Sequence, residues 1–184
     1  LADVGLSADI VVDDGVCEDC TELKNVDLNC CTIYDGVFKG CTSLKNIDIQ
    51  SVGSSSFEDC TGLETVSLRS ALVSSRAFRN CISLRLFEFS GEGGGSCHIC
   101  EEAFAGCTSL PEITIISQIT EIHDRAFYGC SSLSAVHMDP SVPPILGEDV
   151  FAGTSSDLKI FVPSESVGLY KESWPSLADR ICVH

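Results

Sequence analysis

The stretch FKGCTSLKNIDI, from Phe38 to Ile49, decides the fold, because close copies of it recur along the chain. Registered on the cysteine, these are FEDCTGLETVSL from Phe57, FRNCISLRLFEF from Phe78, FAGCTSLPEITI from Phe104 and FYGCSSLSAVHM from Phe127. A degenerate first copy, CEDCTELKNVDL, has Cys17 at the Phe position. A last copy, FAGTSSDLKIFV, has Thr154 at the Cys position and Asp157 at the Leu position. The cysteines Cys20, Cys41, Cys60, Cys81, Cys107 and Cys130 recur at intervals of 21, 19, 21, 26 and 23 residues. Five places before each Phe position stands an aliphatic residue: Val12, Ile33, Val52, Val73, Ile99, Ile122 and Leu146. The chain therefore reads as an array of about seven units.

Within a unit, the pattern Leu-x-x-Ile-x-Ile passes from a three-residue step to a two-residue alternation. The alternating half, such as Ile47-Asp48-Ile49, predicts a short strand with one face buried. The half reading Ala-Phe-x-Gly-Cys sets an aromatic ring and a thiol three apart, as one tight helical turn does. Such a unit cannot bury its apolar face alone, so stacking of neighbours completes the core. Equivalent cysteines then share one interior column, where Cys acts as a small apolar residue, and buried free thiols are expected at all six positions. Cys17, at a Phe position, is expected in the core as well.

These units resemble the BspA-like (Treponema-type) leucine-rich repeats, whose pattern is close to Cys-x-x-Leu-x-x-Ile-x-Ile followed by Ile-x-x-x-Ala-Phe. The resemblance spans roughly residues 10 to 163. The closing FVPSESVGLYKESWPSLADRI is similar to the segment that often ends such arrays in gut bacterial proteins. The expected fold is a leucine-rich-repeat solenoid, a curved right-handed array of short strands with short helical or extended back segments, over residues 1–163. Residues 164–184 are expected to form a C-terminal cap, with Tyr170 and Trp174 covering the open apolar end. The resemblance also implies a place outside the cell or on its surface, and adhesion to host or microbial proteins. Any signal peptide or anchor would lie outside these 184 residues.

Two features modulate the array. The Gly-rich run at 90–96 lengthens one interval and favours a loop bulging from the stack. At the N-terminus, LADVGLSADIVV either follows further chain or serves as a partial strand cap.

Charge and motifs narrow the function. Against 11 Lys plus Arg stand 27 Asp plus Glu, a net charge of -16, so the average field repels nucleic acid. No apolar run is long enough to span a bilayer. Cys97-His98-Ile99-Cys100 has the spacing of a metal or redox pair, but no second Cys-x-x-Cys follows it. Its cysteines read as ordinary thiols, with a Cys97–Cys100 or other local disulfide and a bound metal as lesser alternatives. The adjacent Cys30 and Cys31 bridge each other only with strain, and one is expected to point inward. His98, His123, His137 and His184 sit in no nucleophile-elbow, zincin or phosphate-loop motif, and His123 and His137 read as solvated. No catalytic residue, metal ligand or cofactor is assigned.

The strand faces carry more information. One side chain of each strand must point outward between two inward ones, giving the row Asp27, Asp48, Ser67, Glu88, Thr114, His137 and Phe161. Asn25, Asn46, Thr65, Leu86, Glu112, Ala135 and Lys159 flank it. Phe87 and Phe161 are the aromatic candidates for a binding hot spot. The row is expected to bind a protein partner, a host extracellular or microbial surface protein, with a structural spacer or stalk as the alternative.

Overall fold

The computed structural model describes residues 3–5, 11–28, 32–91 and 97–184, with side chains from 13–28, 33–91 and 97–184. Cys30, Cys31 and residues 92–96 of the expected loop lie outside these. The strands, in chain order, are β1 (Asp3–Gly5), β2 (Val11–Val12), β3 (Asn25–Asp27), β4 (Thr32–Ile33), β5 (Asn46–Ile49), β6 (Thr65–Leu68) and β7 (Leu86–Phe89). They continue as β8 (His98–Ile99), β9 (Glu112–Ile115), β10 (Glu121–Ile122), β11 (Ala135–Met138), β12 (Ile145–Leu146), β13 (Lys159–Val162) and β14 (Ile181–Val183). One helix, α1 (Val167–Ser173), lies between 3-10 turns at Ser164–Ser166 and Pro175–Arg180.

Every pairing among these strands is parallel. The front ladder runs β1-β3, then β5-β6-β7, then β9-β11-β13-β14, with β3 lying against β5 and β7 against β9. A back ladder of two-residue strands holds β2-β4 and β8-β10-β12, and Val73 bridges to Ile99. The front strands β3, β5, β6, β7, β9, β11 and β13 show the period-2 burial that their sequences predict: Ile47 and Ile49 are buried while Asn46 and Asp48 are exposed. β1 is an additional rung, Val4 pairing with Val26, so part of the N-terminal stretch joins the ladder as a strand.

The two ladders are joined by tight turns. In each, the Cys amide donates to the carbonyl of the Phe three residues before it, as Cys81 does to Phe78 at 3.2 Å. The residue before each Cys or its equivalent takes a left-handed backbone, φ between 56° and 76° at Asp19, Gly40, Asp59, Asn80, Gly106, Gly129 and Gly153. Only Gly, Asn and Asp occur there, the residues that tolerate this region most cheaply. A second left-handed position, two before the Phe, is less discriminating and holds Ser55, Arg76, Glu102, Arg125 and Asp149.

The core is a set of columns. Phe38, Phe57, Phe78, Phe104, Phe127 and Phe151 stack with successive ring centroids 5.2–5.7 Å apart. Beside them run Leu44, Leu63, Leu84, Leu110 and Leu133, all inaccessible to solvent, and the thiols of Cys41, Cys60, Cys81, Cys107 and Cys130. The back-strand aliphatic residues Ile33, Val52, Val73, Ile99 and Ile122 complete the interior.

Two sequence expectations need correction here. Cys20 is exposed, and Cys17 only half-buried against the core. From Cys41 onward, each thiol is covered by the Phe-position backbone of the preceding unit, whose carbonyl it reaches at 3.0–3.1 Å. No described unit supplies that cover to Cys20. Phe87, offered as an exposed aromatic, is 5% accessible, because it occupies an inward position of β7 and meets Phe104 edge-on at 4.7 Å.

Past β13 the chain turns back over the last units. Tyr170 and Trp174 are buried, their hydroxyl and indole N–H donating to the carbonyls of Pro140 at 2.8 Å and Pro144 at 3.1 Å. β14 then pairs with β13 and extends the front ladder by one strand. No helix among the described residues is long and apolar enough to cross a membrane.

Candidate functional site

Period-2 alternation turns one side chain per front strand outward, and parallel pairing brings those side chains level. Asp48, Ser67 and Glu88 stand opposite one another on β5, β6 and β7. Thr114, His137 and Phe161 do so on β9, β11 and β13, with Cys182 of β14 next in line. Asp27 is the outward residue of β3, exposed and level with Gly5. Within each of these ladder segments the outward residues are level neighbours. Ser67, His137 and Phe161 are half-buried, and Asp27, Asp48, Glu88 and Thr114 are exposed.

Polar groups dominate the N-terminal half of this face. Arg69 donates from Nη2 to Asp48 at 3.0 Å, and the Thr65 hydroxyl meets Asn46 Oδ1 at 2.7 Å. Beside the row, Lys45 and Arg85 flank Glu64, and these cations hold its carboxyl below the usual carboxylate range, the Lys45 hydrogen bond first.

The C-terminal half ends in rings. His137 stacks on Phe161 with centroids 5.0 Å apart and planes 10° from parallel, and His184 lies 5.6 Å from His137. His184 was not foreseen here, since nothing in its local sequence announces that β14 returns the chain to this face. His137 is correspondingly a ring partner and not simply a solvated residue.

The turn segments carry ion pairs between successive units. Lys39 lies 4.0 Å from Glu18 and 3.7 Å from Glu58, and Arg79 reaches Glu58 at 3.1 Å and Glu102 at 3.6 Å. Exposed pairs of this kind are worth about 0–1 kcal/mol each, and Glu58, which takes both Lys39 and Arg79, is the buried member.

One cluster has the makings of a metal centre. Pairing of β8 with β10 sets His98 beside Glu121, and His123 follows one residue after β10. One carboxylate oxygen of Glu121 lies 3.2 Å from His98 Nδ1 and 3.1 Å from His123 Nε2. Cys97 and Cys100 are half-buried, and burial, aided by the Glu121 charge, pushes the Cys100 thiol up.

Comparison with known proteins agrees with this architecture. A leucine-rich-repeat protein from Bacteroides ovatus, solved by crystallography, matches over the whole chain with a TM-score of 0.68 and 26% identity, the match covering 54% of that protein's chain. A leucine rich cell surface protein from Faecalibacterium prausnitzii matches 94% of this chain with a TM-score of 0.57 and 22% identity, over 62% of its own. The chain thus spans little more than half the length of these solved relatives. No curated protein matches it. The model of the BspA type leucine rich repeat region matches six copies over residues 10–94 and 72–173. With its thiol and phenylalanine columns and its paired ladders, the chain belongs to the BspA-type leucine-rich-repeat family.

Proposed function

We propose that the protein is an extracellular or cell-surface interaction module that binds a protein partner, host extracellular or microbial, across its front strand face. The observation that carries this reading is the pair of level rows Asp48–Ser67–Glu88 and Thr114–His137–Phe161, the first acidic and the second closed by the His137–Phe161 stack. Seven strands at the usual spacing present a face roughly 30 Å long, enough for a standard protein interface. The rings at one end suit a desolvated anchor, and the acids suit steering and register with a basic partner surface. The reading takes residues 1–163 as a curved right-handed array of about seven units and 164–184 as its cap. The surface location is in keeping with the Faecalibacterium relative, itself described as a cell surface protein.

The test is a pull-down of matrix, mucin and co-resident bacterial surface proteins on the purified chain. Beside it run the Asp48→Lys/Glu88→Lys double variant and Phe161→Ala. A partner held by the parent and lost by either folded variant supports the binding face. Failure of the parent to hold any partner favours a spacer, a reading to which the longer chains of both solved relatives also lend support.

A further inference from the structure

We propose that His98, Glu121 and His123 form a site for one divalent transition-metal ion of the zinc class, on the back ladder and separate from the strand face. The argument begins with register. Residues x in the sequence His98-x-Cys100 and Glu121-x-His123 are Ile99 and Ile122, both inward, fully buried and paired, so the residues around them must lie toward the outside. Parallel pairing sets His98 next to Glu121 in the neighbouring unit. The result is a carboxylate and two imidazoles from two adjacent units, 23 residues apart at the paired positions His98 and Glu121.

The distances suit an ion. A tetrahedral zinc with bonds of about 2.1 Å holds its donor atoms about 3.4 Å apart. Here the two nitrogen-to-oxygen separations are 3.2 and 3.1 Å, and one ligand atom from each of the three residues lies within 4.8 Å of the others. Small side-chain rotations would bring all three onto one centre.

His98 supplies an independent reason. Its Nδ1 is buried, yet it is aligned for no hydrogen bond, even with the Glu121 oxygen at 3.2 Å. A buried nitrogen with an unused lone pair or proton is costly, and a metal bond removes the cost. The His98 and His123 rings stand nearly perpendicular, 85° between planes with centroids 5.5 Å apart, so they are not simply stacked on one another.

The donor set selects the ion. Two imidazoles and one carboxylate favour zinc and its transition-metal neighbours over magnesium or calcium, which take oxygen ligands. A groove of about 270 Å³ opens beside the cluster, lined by Glu101, Glu121, His123 and Asp124 among others, leaving room for a water as fourth ligand and adding negative charge that draws cations in. Bound there, the ion would clamp two units together, its first ligand lying within the lengthened interval and just after the Gly-rich run at 90–96.

The test is a zinc titration of the purified chain by calorimetry, alongside His98→Ala, His123→Ala, Glu121→Gln and the Cys97→Ser/Cys100→Ser double variant. The expected result is one equivalent bound by the parent and by the thiol variant, and none by either histidine variant. Glu121→Gln, which keeps the shape and removes the charge, should bind at least about tenfold more weakly, since even outer partners of a metal ligand are worth 10–100-fold. Melting in chelator establishes that each variant is folded. Zinc should raise the melting temperature of the parent and leave that of the histidine variants unmoved. Uptake that survives both histidine changes, that follows the thiols instead, or that never occurs in the parent overturns the proposal.

Discussion

The thiol of Cys81 donates to the carbonyl oxygen of Phe57 at 3.1 Å, one unit back along the array. Cys41, Cys60, Cys107 and Cys130 do the same to their own preceding units. The side chain at this position therefore does two things: it fills the space beside the Phe column, and it gives a second donor to a carbonyl that already accepts the Cys amide of its own turn, as Phe57 does from Cys60.

Thiol chemistry should separate the column from its end. With Cys20 exposed and Cys41, Cys60, Cys81, Cys107 and Cys130 inaccessible, brief alkylation of the native protein followed by peptide mapping should modify Cys20 and spare the other five. Unfolding in urea should expose all of them. Native labelling of Cys81 or Cys107 at the rate of Cys20 would mean that the column is not closed.

The same column makes stability sensitive to alkali. Burial pushes Cys41 up to about 12 from an ordinary 9.0, and raises Cys60 and Cys81 as well. A thiol with a raised value in the folded state contributes fully below the ordinary value and loses that contribution as pH climbs toward the raised one. The melting temperature should hold up to about pH 8.5 and then fall, each deeply buried thiol costing up to about 1.4 kcal/mol per pH unit. Cys81→Ala should shift the neutral-pH value downward and flatten the alkaline slope. An unchanged slope would show that the thiols do not govern it.

The Phe column should be least replaceable at its centre. Phe104 stacks on Phe78 and Phe127 and takes Phe87 on its edge. Phe104→Ala should cost about 3–5 kcal/mol, read as a lower urea midpoint.

Backbone conformation offers a gain instead. Arg125 is exposed and held at φ 55°, where a side chain is disfavoured. Arg125→Gly should stabilise the protein by about 0.5–1 kcal/mol, the relief of strain outweighing the freedom that glycine adds to the unfolded chain. A lower urea midpoint would show that the arginine side chain contributes more than its backbone costs.

Much of this was legible in the residues. Alternation in Asn46-Ile47-Asp48-Ile49 places Asp48 outward, and the Phe-x-x-Cys spacing places a turn, because both depend on neighbours along the chain. The left-handed position before each Cys was written in the copies too, as Gly, Asp or Asn, a narrow choice that only conformation explains. Other features depend on which strand lies beside which. His184, 46 residues after Met138, reaches His137 and the Met138 carbonyl because β14 returns the chain to the ladder just before it. His98 meets Glu121 because two units of unequal length still pair in register. Phe87 and Cys20 depart from expectation for opposite reasons: Phe87, a hot-spot candidate by residue type, holds an inward place in the alternation, and Cys20, a column position, has no described unit before it to cover it.

The nearest-neighbour build of the columns has a consequence for how such a protein changes over generations. Each interior thiol and ring answers only to the unit on either side, while the outward residues meet one another and neighbouring surface groups, as Asp48 meets Arg69 and Ser67 meets Ser90, and not the core. The interior therefore works as a fixed typeface and the outer row as movable text: a residue such as Ser67 or Thr114 is open to rewriting for a new partner without renegotiating the core, and selection is free to edit recognition one rung at a time.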